Sequence, residues 1–140
     1  MSRLLKAAAL VLLFGAPALA QETVPQSLAL ELNALQATDK GCRVTFLATN
    51  TLGAPLDRAA IETALFNANG AIERIVTLDF KGLTEGKTKV LQFELADLPC
   101  DNIGRVLIND ISVCEGVGLP PNACLDQLKT TTRPDISFGL

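Results

Sequence analysis

The sequence predicts an all-β fold: a small antiparallel β-sandwich whose C-terminal segment is a loop stapled by a disulfide bond. Apolar and polar residues alternate in several short segments, as they do in strands with one buried face. Turn-forming residues separate these segments at roughly even spacing. The chain also has four cysteines, an even number that is typical of a disulfide framework in an exported protein.

The best-defined strands lie between Cys42 and Ile111. In residues 42–50 every second side chain is apolar, and this alternation predicts a half-buried strand. In residues 88–95 the alternation predicts a second strand. The residues expected to face inward from these two strands are Val44, Phe46, Leu91 and Phe93.

Residues 61–66 and 71–80 are predicted to form a β-hairpin around an Asn-Gly pair. A two-residue loop at positions 69–70 would place Leu65 opposite Arg74. A four-residue loop at positions 67–70 places Leu65 opposite Ile72 and so pairs apolar side chains on one face. We therefore predict the second register, which leaves Arg74 on the inward row.

The N-terminal region has the pattern of a secretory signal peptide, and the predicted division is a leader at 1–20 and a single domain at 21–140. Residues 1–6 are basic, residues 7–14 are apolar, and Ala18-Leu19-Ala20 is a small-x-small cleavage signal. The alternative is a membrane anchor, but the apolar run is short for a hydrocarbon layer of about 30 Å. Arg3 is followed by Leu4, so the twin-arginine pair is missing and the general secretory route is favoured. The predicted location is the periplasm.

The remaining chain is acidic. Without Arg3 and Lys6 it has 10 basic and 15 acidic residues, a net charge of −5. Proteins that bind nucleic acid are normally basic, so a nucleic-acid partner is not expected. No other segment is long and apolar enough to suggest stable membrane insertion after removal of the leader.

The four cysteines, Cys42, Cys100, Cys114 and Cys124, allow three pairings. We favour Cys42 with Cys100, because antiparallel pairing of 42–50 with 88–95 brings them together. Cys114 and Cys124 would then staple the intervening loop. A zinc site is the alternative, but zinc-binding cysteines are usually spaced by about two to four residues, and a Cys-x-x-Cys redox pair is absent.

The outer segments complete the predicted order, with a core at 28–111 and a C-terminal part at 112–140. Residues 28–33 alternate like a strand, although Leu28, Leu32 and Leu35 also fit helical spacing. Residues 105–111 are apolar enough for a central strand. Residues 121–128 predict one or two helical turns, and 135–140 a last strand.

The central part of the chain resembles the FxLYD-type immunoglobulin-like domains of exported bacterial proteins. The resemblance covers about residues 42–111 and rests on Asn50, Leu65-Phe66-Asn67, Gly70, Gly86-Lys87-Thr88 and Phe93. It implies an immunoglobulin-like sandwich.

The whole chain is similar to an uncharacterised proteobacterial exported family that is often labelled "Tat pathway signal sequence domain protein". The matching segments include Gly41-Cys42-Arg43-Val44-Thr45-Phe46 and Leu107-Ile108-Asn109-Asp110. This second resemblance implies no activity, and so it transfers no functional residues.

The composition excludes the most common catalytic mechanisms. The chain has no His, so Ser-His-Asp and Cys-His mechanisms are excluded. The remaining candidates for a glycan hydrolase are Asp97, Asp101, Asp110 and Glu115, which are expected to be solvated surface acids. A calcium site at Asp97, Asp101 and Asn102 matches no loop motif. We predict no enzyme activity, no cofactor and no metal.

Apolar surface is the remaining indication of function. Leu47, Phe66 and Leu107 are predicted to lie on the faces opposite the core and to be partly exposed. An exposed apolar patch often marks a partner site, unless the terminal segments cover it. The leading hypothesis is a non-catalytic exported protein that binds or accompanies another envelope protein. The alternatives are a binder of small apolar ligands between the sheets and a carboxylate-based glycan hydrolase.

Overall fold

The computed structural model describes residues 15–20 and 25–140. Residues 1–14 and 21–24 lie outside this description. They include most of the predicted signal peptide and the residue that follows the predicted cleavage bond. Residues 15–20 are exposed. The elements are β1 (Leu28–Ala37), β2 (Gly41–Asn50), β3 (Leu56–Phe66), β4 (Ile72–Leu83), β5 (Thr88–Ala96), a 3-10 helix (Cys100–Asn102), β6 (Arg105–Glu115), α1 (Ala123–Asp126), β7 (Leu128–Thr132) and β8 (Ser137–Gly139).

The strands form two sheets that pack face to face, which confirms the predicted all-β sandwich. Sheet A has the strand order β5-β2-β1-β7, and sheet B has the order β4-β3-β6-β8. Among themselves, the first six strands pair in antiparallel fashion. β1, β2 and β5 lie in sheet A and β3, β4 and β6 in sheet B, a distribution found in immunoglobulin-like domains. Along these six strands the chain crosses between the sheets after β2, after β4 and after β5.

The last two strands differ from the predicted antiparallel pattern. β7 runs parallel to β1, and β8 runs parallel to β6. After α1 the chain arrives beside the first residue of β1, where the N–H of Leu28 donates to the carbonyl oxygen of Gln127 at 3.0 Å. The chain then continues in the direction of β1. β7 carries no clear alternation, which is why the sequence did not predict it.

The core between the sheets is built around phenylalanines. The ring of Phe46 makes edge contacts with Phe80, Phe93 and Phe138, with centroids 5.3–6.0 Å apart, an arrangement that aromatic pairs prefer. Val44 and Phe46 are buried, and Leu91 and Phe93 pack against the same cluster. The predicted inward row is therefore confirmed.

The predicted register of the β3–β4 hairpin is wrong. Leu65 faces Arg74, and Phe66 faces Ile72, so Glu73 is an extra residue in a β-bulge. The cause is the Asn67 side chain, whose Oδ1 accepts hydrogen bonds from the backbone N–H groups of Asn69 and Ala71, both at 3.0 Å. These bonds hold a wider loop than either predicted turn. Arg74 does lie on the half-buried inward row.

A second bulge explains the irregular pattern at the start of the chain. β1 is a strand through its whole length, and its register with β2 shifts between Leu32 and Ala34. Asn33 is the additional residue. A bulge changes which residues share a face, and so Leu35 breaks the alternation without any helix.

Both predicted disulfides are present, Cys42–Cys100 and Cys114–Cys124. The first bridge closes the end of the sandwich where β2 begins and β5 ends. The second closes the opposite end, where β6 ends. Structural disulfides of this kind belong to oxidising compartments outside the cytoplasm.

Candidate interaction surface

The structure separates the four candidate carboxylates. Asp97 and Asp101 line a cleft of about 470 Å³ at the first bridge, together with residues 37–41 and 98–100. Asp110 and Glu115 lie on β6 and do not line that cleft. The arrangement does not bring the four side chains into one site.

The cleft is formed by the β1–β2 turn and the segment that follows β5. The backbone N–H of Asp97 donates to the carbonyl oxygen of Lys40 at 2.8 Å and holds the two walls together. Asn102 does not line the cleft, and residues 15–20 and 25–140 contain no group of three or more His, Cys, Asp or Glu side chains placed to hold a metal ion. The described residues therefore do not support the calcium hypothesis.

The outer face of sheet B carries an apolar surface that lies near the first-bridge end. We define the outer patch as Phe66, Ile72, Ile75, Ala64 and Leu107. Ile72 and Ile75 are each 57% exposed, while Ala64 beneath them is only 4% exposed. Phe66 and Leu107 are half-buried. Such a group of adjacent apolar side chains, in which Ile72 and Ile75 are exposed, is a feature of binding surfaces.

The strand register places these side chains in ordered rows. Facing residues of neighbouring strands share a face of the sheet, so three adjacent rows of β4, β3 and β6 follow directly from the pairing. They are Ile72, Phe66 and Arg105 in the first row, Ile75, Ala64 and Leu107 in the second, and Thr77, Glu62 and Asp110 in the third.

Charged groups lie on both sides of the apolar rows. The guanidinium carbon of Arg105 lies 5.5 Å from the centre of the Phe66 ring, which is a cation–π geometry. Glu62 and Asp110 face each other across β3 and β6. Neither carboxylate, nor Arg105, takes part in the ion pairs found within residues 15–20 and 25–140.

An ion cluster lies further along the same sheet. Arg58 donates from Nε and Nη2 to Oδ2 of Asp79 at 3.1 and 3.0 Å, and the backbone N–H of Lys81 donates to Oδ1 at 2.9 Å. The hydrogen bond from Arg58, with the bonds from Lys81, lowers the pKa of Asp79 to about 2. The same pairing raises the pKa of Arg58.

The outer face of sheet A has a different character. The hydroxyl groups of Thr49 and Thr88 hydrogen-bond to each other at 2.7 Å, and Nε2 of Gln92 donates to Thr45 Oγ1 at 3.2 Å. Val90, at 62% exposure, is the prominent apolar side chain there. The two outer faces are therefore unequal, and sheet B has the apolar one.

The sequence predicted part of this surface. Leu47, Phe66 and Leu107 are half-buried, as expected, but Leu47 lies on sheet A, opposite Val90. Ile72 was placed inward by the predicted register and lies on the outer face because of the bulge at Glu73. The exposed Ile75 was not singled out, although its alternation with the inward Val76 and Leu78 assigns it to the outer row.

The fold and the surface together define a disulfide-stapled immunoglobulin-like sandwich with one apolar outer face. Comparison with protein-family models, curated proteins and solved structures finds no match to this chain. A search of the described helices finds none long and apolar enough to cross a membrane.

Proposed function

We propose that this protein is exported by the general secretory route to the periplasm and works there, without catalysis, by binding a protein partner of the cell envelope. The observation that carries the proposal is the outer patch on sheet B. The predicted leader ending at Ala20 and the two disulfides support the location. The resemblance to exported bacterial families is consistent with it.

The outer patch supports protein binding better than either alternative hypothesis. A ligand between the sheets would have to displace Phe46 and its aromatic neighbours, which occupy the centre of that space. A hydrolase would need two carboxylates at one site; of the four candidates, Asp97 and Asp101 share a cleft, whereas Asp110 and Glu115 lie apart from it on β6. An exposed apolar face needs only a complementary surface.

Site-specific photocrosslinking tests the proposal. A photoreactive amino acid at Ile75 should capture a defined protein in periplasmic extract of the source organism. The matched control is the same amino acid at Val90, an equally exposed apolar position on sheet A. Capture that is absent at Ile75, or equal at both positions, would contradict the proposal.

A further inference from the structure

We infer that the protein partner of the outer patch is a second copy of this chain. The two copies pack face to face about a two-fold axis that crosses the strands at the row of Ile75, Ala64 and Leu107. This inference rests on the proposed function, because it uses the same surface.

The three rows follow one another along the strands in an order that places unlike charges on either side of an apolar centre. The central row, which contains Ile75 and Leu107, is wholly apolar. On β6 the row on one side ends in the cation Arg105, and the row on the other side ends in the anion Asp110. The face thus carries a positive group and a negative group on the same strand, at equal separation of one row from the apolar centre.

A two-fold axis through the central row brings the positive group of one copy opposite the negative group of the other. Rotation about the axis keeps each strand over the same strand of the other copy and exchanges the first row with the third. Leu107 then packs on Leu107 of the other copy, and Arg105 lies over Asp110. Symmetric dimers require such a self-complementary surface, and each pairing between the copies occurs twice.

The facing carboxylates of Glu62 and Asp110 provide a second reason. Like charges directly opposite each other in a sheet are unfavourable. Glu62 accepts a hydrogen bond from Nδ2 of Asn109 at 2.6 Å, but no cation of the described chain pairs with either carboxylate. In the dimer the guanidinium of Arg105 from the other copy lies beside both and removes this conflict. The stacked position of Arg105 on Phe66 leaves its N–H edge free to donate.

The size of the face predicts a weak dimer. The strands β3, β4 and β6 have 11, 12 and 11 residues. Because the axis crosses β3 at Ala64, close to the end of that strand at Phe66, the copies overlap over only about five residues of each strand, which at about 4.8 Å between strands and about 3.3 Å per residue is roughly 240 Å². Stable interfaces use about 800 Å² on each partner, so association should depend on concentration and, because it is partly ionic, on salt.

Sedimentation equilibrium of the exported protein with both disulfides intact tests the inference. The mass should rise from monomer to dimer between low micromolar and near-millimolar concentration, and added salt should oppose the rise. Arg105→Glu alone and Asp110→Arg alone should each raise the dissociation constant about tenfold or more. The double variant carrying both substitutions should restore dimerisation, because it reverses the pair without removing it.

The controls separate loss of association from loss of folding. Lys129→Glu makes an equal change of charge on sheet A and should leave the dimer unchanged. Every variant should keep the native circular dichroism spectrum and no free thiol. If Arg105→Glu does not fold, Arg105→Gln and Leu107→Asn test the same face.

Three results would overturn the inference: a monomer at every concentration, a dimer that survives the single reversals, or a double variant that stays monomeric. If the protein is monomeric while Ile75 still captures a different protein, only this inference fails. If Ile75 captures nothing as well, the proposed function fails with it.

Discussion

At the scale of single residues, Asp79 shows how one carboxylate stabilises an irregular strand. Lys81 has a backbone φ of 60°, a left-handed conformation that non-glycine residues seldom adopt. Oδ1 of Asp79 accepts the N–H of Lys81, and Oδ2 accepts the hydrogen bonds of Arg58 and of the Lys81 ammonium group. The side chain of Asp79 keeps 22% of its exposure, so this is a surface cluster that strengthens β4, an edge strand.

Asp79→Asn should flatten the acid-dependent loss of stability. The pKa of Asp79 falls from 3.8 to about 2 on folding, so the ionised carboxylate stabilises the fold above 3.8. This contribution is lost as the pH falls from 3.8 through about 2. Asparagine keeps an acceptor for the Lys81 N–H but lacks the charge, so the variant should have a lower thermal midpoint at neutral pH and a shallower decline in acid.

Thermal unfolding followed by circular dichroism at a series of pH values measures this difference. Asp57→Asn, at an exposed position of β3, controls for the loss of one negative charge. If Asp79→Asn and the native protein decline in parallel below pH 3.8, the ion cluster does not contribute as described.

Buried Asn50 illustrates a polar residue whose role follows from its contacts and not from its neighbours in sequence. It is fully buried, and its Nδ2 donates to the carbonyl oxygens of Ala54 and Leu83 at 2.9 and 3.0 Å. Its Oδ1 accepts the N–H of Leu52 at 3.0 Å. The side chain therefore joins the end of β2, in sheet A, to the end of β4, in sheet B. Alternation marks Asn50 only as the end of a strand.

At the scale of elements, alternation predicted strands well where the pairing has no bulge. β2 pairs with β5 from Gly41 to Thr49 without a register shift, and the bounds of β2 agree with the prediction to one residue. The Cys42–Cys100 disulfide was predicted from this pairing, whereas the Cys114–Cys124 disulfide was predicted because the two cysteines are close in sequence and flank a segment of turn residues. Local periodicity and one correct strand pairing were sufficient to predict β2, β5 and the disulfide beside them.

Bulges and parallel pairing limited the rest of the prediction. The extra residues Asn33, Glu73 and Asn109 interrupt the ladders of β1, β4 and β6, and a shift of one residue exchanges the two faces of a strand. Asn67 fixes the bulge at Glu73 through its side chain, a contact that a turn motif does not encode. The sequence of β7 shows no alternation of apolar and polar residues, and its position is defined by its pairing with β1. The outer patch could therefore be predicted only in part.

The second disulfide should control the edge of sheet A. The four-residue helix α1 is too short to be stable alone, and Cys124 holds it against the end of β6. Replacing Cys114 and Cys124 together by serine should make α1 and the start of β7 more mobile. The backbone amides of Leu28 and of β7 should then exchange hydrogen faster, while amides in the β3–β4 ladder keep their protection.

Hydrogen exchange resolved by residue distinguishes a local effect from a global one. The matched control replaces Cys42 and Cys100 by serine and should loosen the opposite end of the sandwich, around the 3-10 helix. A uniform gain in exchange over all strands after loss of the second disulfide would show that α1 and β7 are not a separate unit.

At the scale of the whole molecule, the fold depends on two disulfide bonds at opposite ends of the sandwich. A domain of this size buries a limited core and is stabilised overall by about 5–15 kcal/mol. Each disulfide contributes about 2–4 kcal/mol, more for the longer loop. Cys42 and Cys100 are separated by 58 residues, and Cys114 and Cys124 by 10, so the first bridge should contribute more.

Reduction should therefore remove most of the stability, and the protein should be stable only after export to an oxidising compartment. The native protein should show no free thiols and should unfold cooperatively in urea. Under reducing conditions the urea midpoint should fall steeply, and a form produced in the cytoplasm without residues 1–20 should be rapidly degraded. Loss of the first bridge alone should lower the midpoint more than loss of the second, because its loop constrains more of the unfolded chain. An unchanged midpoint after full reduction would mean that the phenylalanine core suffices without either bridge.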